Sequence, residues 1–204
     1  MSQNKYFVSG KDESLRMFQN DFLDKISRVS WYVPLLIFAP IIALLLYHSI
    51  SDFDIPLKTR LMLFVLGLLV WSVVEYVFHR FIFHYHPKSN LGKKVFFVIH
   101  GVHHDYPNDS KRLVMPPVMS IPLATGFYFL FEYLLGDRSN SMFYIGFILG
   151  YLLYDIMHYA FHHAPITRPK IFQTLKKNHM DHHFKNPERG FGVSSTIWDK
   201  VFGT

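Results

Sequence analysis

The chain has 204 residues, of which 50% are hydrophobic, 18% aromatic and only 18% charged; a soluble domain carries about 25% charged residues. Cysteine is absent, which excludes a disulfide scaffold, cysteine-ligated zinc, iron–sulfur clusters and thiol catalysis together. The formal net charge is +6, which in so apolar a chain points to cytoplasmic loops before nucleic acid.

The first 30 residues are polar and mixed in charge and lack the apolar core of a secretory signal. Within them Leu15, Phe18, Phe22, Ile26 and Val29 recur every three or four residues, one face of a helix. A spanning stretch follows directly, so residues 1–30 are expected to carry a helix lying on the membrane surface. Residues 31–50 contain no Lys, Arg, Asp or Glu, and about 20 such residues cross the hydrocarbon of a bilayer. Pro34 and Pro40 predict a kink there. The next apolar run, 61–83, ends with Glu75, His79 and Arg80, so its end should project into water. Further spans are expected over about 117–135 and 141–161, with residues 136–140 as a tight turn between them.

Four spans put the N-terminus, the loop 84–116 and the C-terminal tail on one side. That side holds 18 Lys and Arg against Lys58, Arg60 and Arg138 on the other. Such a bias makes the basic side cytoplasmic and accounts for the net charge without nucleic acid. The expected fold is all-α: one domain over residues 1–204, with four transmembrane helices and a cytoplasmic, histidine-rich helical cap.

Histidine is the informative residue, with 13 in the chain. His79 and His84 leave the second span. His100, His103 and His104 form H-x-x-H-H in the loop after it. His158, His162 and His163 leave the fourth span, and His179, His182 and His183 form a second H-x-x-H-H in the tail. By this topology all four clusters share one side. Residues at i, i+3 and i+4 lie on one helix face, so each H-x-x-H-H is expected to offer three imidazoles to one point. His79 and His84, a turn and a half apart, suit a helix that is ending. Neutral imidazole is a ligand for iron, copper, nickel and zinc, and two ions with about five nitrogens each is the natural partition. His48 falls at the other end of the first span and reads as interfacial, and His86 reads as a loop residue. Glu75 and Asp155 precede His79 and His158 by about one turn and could accept the second N–H of those imidazoles. His163, beside a position that already satisfies the helical spacing, is left to a supporting role. Lys176 and Lys177, beside His179, could dock an acidic electron donor.

These clusters resemble the membrane fatty acid hydroxylase superfamily, which also contains sterol desaturases and carotenoid hydroxylases. Residues 75–84, 100–117, 154–163 and 175–204 look like the fatty acid 2-hydroxylases in particular. The resemblance implies a di-metal oxygenase that hydroxylates carbon 2 of a long acyl chain, free or in a sphingolipid. It implies that His79, His84, His100, His103, His104, His158, His162, His179, His182 and His183 hold two iron ions, with zinc as an inactive substitute and O₂ as co-substrate. Tyr154 and Asp155 could position the lipid head. Fungal and animal relatives carry a haem electron-carrier domain with an H-P-G-G motif. Here the His-Pro is His86-Pro87 followed by Lys88, so a separate electron-donor protein is expected. The setting would be the endoplasmic reticulum in a eukaryote or the inner membrane in a bacterium. The spans should form an apolar slot ending at the histidines. Another lipid hydroxylase or desaturase of the superfamily and a membrane metal transporter remain the alternatives.

Overall fold

A computed structural model describes residues 7–165 and 169–204. Among them α1 covers Asp21–Ile26, α2 Val33–Ser51 and α3 Leu57–Val77, which runs on as a π-helical turn over Phe78–Phe83. Next come α4 (Asn90–Phe96), a second π-turn over Phe97–Gly101, and α5 (Val102–Asp105). The chain continues with α6 (Pro117–Leu135), α7 (Asp137–His163), α8 (Lys170–Phe184) and α9 (Ile197–Phe202).

Among the described residues, four helices are long and apolar enough to cross a membrane: Val33–Ser51, Leu57–Phe83, Pro117–Leu135 and Asp137–His163. Two begin earlier than their apolar runs suggest, because charged residues at their starts have local partners. Arg60 donates to the carbonyls of Ser49 and Phe53, and Arg138 donates to that of Asp54. The expected turn over residues 136–140 shrinks to Gly136, whose φ of +73° reverses the chain in one residue.

The core is built around α7, which is the most buried of the four, with α3, α2 and α6 packed on it. Trp71 of α3 meets Phe147 and Tyr151 of α7 edge-on at 5.3 and 5.5 Å, and Phe131 of α6 meets Phe143 at 4.9 Å. The outward faces stay apolar: Leu36, Leu44, Leu61, Phe129 and Leu134 are exposed, as side chains that face lipid should be. At the end of the bundle away from the histidine clusters, His48 sits between Asp52 (2.5 Å) and Asp137 (3.3 Å) and ties α2 to the start of α7.

The N-terminal segment departs from the expected surface helix. Its first six residues lie outside the described residues, and helix is confined to Asp21–Ile26. Side chains take up the backbone groups that a longer helix would pair. Arg112 donates to the Leu15 carbonyl, Arg16 donates to those of Phe18 and Gln19, and Asp24 accepts from the amides of Met17 and Phe18. Asn20 then caps α1. The segment runs beside the loop after α5, with Val8 and Ser9 donating to the Asp105 carbonyl and Val29 to that of Lys111. Buried Arg112 pairs with Asp109 at 3.2 Å and reaches Asp24 at 3.7 Å.

Helices α3 and α7 touch backbone to backbone at Gly67 and Gly146. A Cβ on Gly67 would overlap the Phe143 carbonyl, and one on Gly146 would overlap that of Phe64. Gly146→Ala should therefore destabilise the bundle by about 2–3 kcal/mol. Gly126→Ala on α6, where a Cβ meets nothing within 4 Å, should cost nothing. Thermal melts of the two variants in detergent check this.

Candidate metal centre

The long helices end where the histidines begin. Two groups of five form: His79, His84, His100, His104 and His182, and His103, His158, His162, His179 and His183. Within each group one ligand nitrogen per residue lies within 4.8 Å of all the others. All ten of those histidines lie in these two groups, five in each.

The route to that partition differs from the spacing argument. Neither H-x-x-H-H delivers three imidazoles to one point: His100 and His104 join one group while His103 joins the other, and His179 and His183 part from His182 in the same way. Each residue of an α-helix turns about 100°, so i and i+4 diverge by about 40° while i+3 and i+4 stand about 100° apart. A helix end aimed between two sites therefore feeds both. His79 and His84 share a group for another reason. The π-turn closes with a hydrogen bond from the His84 amide to the His79 carbonyl at 3.1 Å, and that five-residue register puts i and i+5 on one face. His100 lies in the second π-turn.

Backbone carbonyls orient the imidazoles. Nδ1 of His79 donates to Phe191 O at 2.5 Å, that of His158 to Leu113 O at 2.8 Å, and that of His182 to Arg189 O at 2.7 Å. This leaves each Nε2 as a lone pair turned inward. Nε2 of His79, His84 and His182 have no hydrogen-bond partner although buried. In the other group Nε2 of His158 faces that of His103 at 2.8 Å, and Nε2 of His179 faces those of His162 and His183 at 3.0 and 3.1 Å. Lone pairs converging in this way fit a cation at each centre, and an all-nitrogen donor set suits iron, zinc, copper or nickel.

Glu75 and Asp155 reach the histidines by a longer path than the spacing suggests. Glu75 accepts from the amides of Val193 and Ser194, both at 2.8 Å, and from the Ser194 hydroxyl. It thus holds the loop whose Phe191 carbonyl orients His79. Asp155 accepts from the Met115 amide at 3.3 Å, two residues beyond the Leu113 carbonyl that orients His158. The sequence reading missed Asp199, which is buried and accepts from the amides of Phe191 and Gly192 at 2.8 and 2.9 Å. Four consecutive amides, 191–194, therefore enter two buried carboxylates.

Tyr154 stacks on His158, with ring centroids 5.7 Å apart. His163 stands outside both groups, exposed and stacked on Tyr159 at 4.8 Å. The lysines expected to meet a donor have partners of their own: Lys176 donates to the Ala164 carbonyl at 2.7 Å, and Lys177 pairs with Asp181.

A cavity of about 240 Å³ opens onto both groups, reaching His100 of one and His103 and His158 of the other. Its remaining wall is mostly apolar, with Arg112 and Asp155 among the polar exceptions. The N-terminal segment supplies part of that wall through Met17, Phe18, Leu23 and Ile26. The expected slot between spans is thus partly roofed by the segment read as a surface helix.

Residues 64–204, which contain all ten histidines, match the family described as fatty acid hydroxylase. The chain belongs to the fatty acid hydroxylase family. It is 37% identical over 192 residues to a dihydroceramide fatty acyl 2-hydroxylase of Arabidopsis thaliana, covering 94% of this chain and 80% of the relative. It is 37% identical over 195 residues to a ceramide very long chain fatty acid hydroxylase of Saccharomyces cerevisiae, covering 94% of this chain and 49% of the relative. A solved structure described as full-length scs7p with only its hydroxylase domain visible superposes with a TM-score of 0.82. It is 36% identical and covers 90% of this chain and 69% of that one.

Burial holds His100, His103, His104, His179 and His183 well below the ordinary histidine value, and mutual repulsion adds to the effect. Burial likewise brings His182 down to about 4. These imidazoles are neutral at neutral pH. An unfolded chain takes up protons near pH 6.5 that the folded cluster refuses, so acid favours unfolding. The melting temperature of metal-free protein should fall steadily as pH drops from about 7 to about 5. Bound metal should offset the early part of that fall. Melts with and without chelator across this range test both statements.

Proposed function

We propose that the protein hydroxylates carbon 2 of a long fatty acyl chain, free or carried by a ceramide or dihydroceramide. The observation that carries this reading is the cavity, an apolar chamber that ends on imidazoles of both five-histidine groups. The names of the relatives support the choice of reaction and substrate.

Each group of five histidines would hold one ion, an iron in the working enzyme, with zinc a redox-inert substitute. An alkyl C–H bond offers no acidic proton to a side-chain base, so the ions supply the activation of O₂. One O₂, two electrons and two protons convert the CH₂ to CHOH and release water. The chain's own residues do the rest. Met17, Phe18, Leu23 and Ile26 help exclude water from the acyl chain. Tyr154 and Asp155, beside His158 on the cavity wall, are placed to position the carboxyl or amide head. The carbonyls of Phe191, Leu113 and Arg189 fix which imidazole nitrogen faces the centre.

Residues 1–204 act as one hydroxylase unit, with the four long helices spanning the bilayer. The bias of 18 basic residues against three supports a cytoplasmic histidine end, at the endoplasmic reticulum of a eukaryote or the inner membrane of a bacterium. Electrons come from a donor protein outside this sequence. An apolar chamber suits a lipid rather than ions in transit, and the histidines lie at the ends of the spans, whereas transporters bind near the bilayer midplane.

Purified protein in lipid discs, given a reductant and long-chain acyl substrates, should yield 2-hydroxy products by mass spectrometry. Oxidation at another carbon, or a desaturated product, overturns the reading. Elemental analysis should find two ions per chain. His103→Ala should drain the group formed mainly by the fourth helix and the tail, although His103 belongs to the first H-x-x-H-H. The content should fall towards one ion, while His163→Ala should leave it at two.

A further inference from the structure

A second, smaller cavity lies deeper in the bundle. Its wall comes from α3, α6 and α7, including Trp71, Leu123, Phe127, Ile148 and Tyr151. The two cavities follow each other along the same helices. On α7 the first takes Tyr154, Asp155 and His158, and the second takes Phe147, Ile148 and Tyr151, the turns further from the histidines. On α6 the first takes Pro116-side residues up to Met119, and the second takes Ser120 to Phe127. From Tyr154 to Ile148 the helix advances about 9 Å. Among the described residues, Met115 is shared by the linings of both cavities. It packs against the core cluster of the bundle, and its amide is anchored on Asp155. The backbone at this point is therefore held while the thioether is left to adapt, and an unbranched Met changes rotamer more readily than a branched or aromatic residue.

We propose that Met115 is a gate that sets which acyl-chain lengths are accepted. This rests on the acyl-hydroxylase reading. A chain whose head lies near Tyr154 fills the first cavity, and a longer chain must turn Met115 aside and pass its tail between Trp71, Tyr151 and Phe127. The second cavity is the tail subsite, and it takes saturated methylenes because its wall is almost wholly apolar. The Asp155 bond uses the Met115 amide, which any substituent except proline keeps.

The test offers an equimolar ladder of saturated acyl chains, from medium to very long, to wild type, Met115→Ala, Met115→Phe and Ala124→Leu in lipid discs. Ala124 lines the far cavity on α6. Met115→Ala should raise the ratio of the longest to the shortest 2-hydroxy products by about tenfold, and Met115→Phe should lower it by a similar factor. Ala124→Leu should lose the longest products and keep the shorter ones. Melting temperatures establish that each variant is folded, and Ala124→Leu decides alone if the Met115 variants are not. Displacement of a fluorescent fatty acid by each rung gives the same ladder without turnover. Unchanged ratios in both measurements overturn the gate. If wild type makes no 2-hydroxy product yet the displacement ladder shifts as stated, the gate stands and the proposed reaction falls.

Discussion

Ten imidazoles can share one buried region only if they are neutral and only if something collects their inward lone pairs. That constraint organises the rest of the structure. Burial and repulsion keep the rings unprotonated, and three backbone carbonyls select the nitrogen that turns inward. The carbonyls must in turn be held, and buried carboxylates hold the segments of two of them: Glu75 and Asp199 the loop 191–194 that carries the Phe191 carbonyl, Asp155 the segment after Leu113. A carboxylate in an apolar bundle is costly unless its oxygens accept hydrogen bonds. Here backbone amides supply them.

The two groups are built on one plan with an exchange. Each takes a pair from the end of a long helix, a pair at i and i+4 from one H-x-x-H-H, and the i+3 residue of the other H-x-x-H-H. His103 and His182 are the exchanged residues. The frame that brings the two halves close enough is the contact of α3 with α7 at Gly67 and Gly146, where backbone rather than side chain sets the separation.

Much of this was legible in the sequence. Length and hydropathy located four long helices to within a few residues, because about 20 uninterrupted apolar residues leave few other conformations. The histidine count and the grouping on one side followed from the same topology. What escaped depends on geometry beyond periodicity. The π-turn that unites His79 and His84 has no sequence signature, and the split of each H-x-x-H-H appears only when two centres flank one helix. The amphipathic spacing of Leu15 to Val29 suggested a helix, but Arg112 and Asp24 bind the backbone groups of that segment, and a buried guanidinium outweighs a weak local propensity. Nothing local in the sequence around Asp199 announces that two amides will point at it.

The exchange of His103 and His182 also has a consequence for assembly. A chain grows from its N-terminus, and domains ordinarily begin to fold as they emerge. The first long pair of helices and the first H-x-x-H-H are made early, yet their group lacks His182, and the other group lacks its tail pair. One group is complete only when synthesis has passed His182 and the other only when it has passed His183, and the loop that orients His79 follows later still. Before the tail is made, four imidazoles of one group and three of the other are already present, so the last-made segment would complete both sets of five at once and tie the first half of the chain to the last.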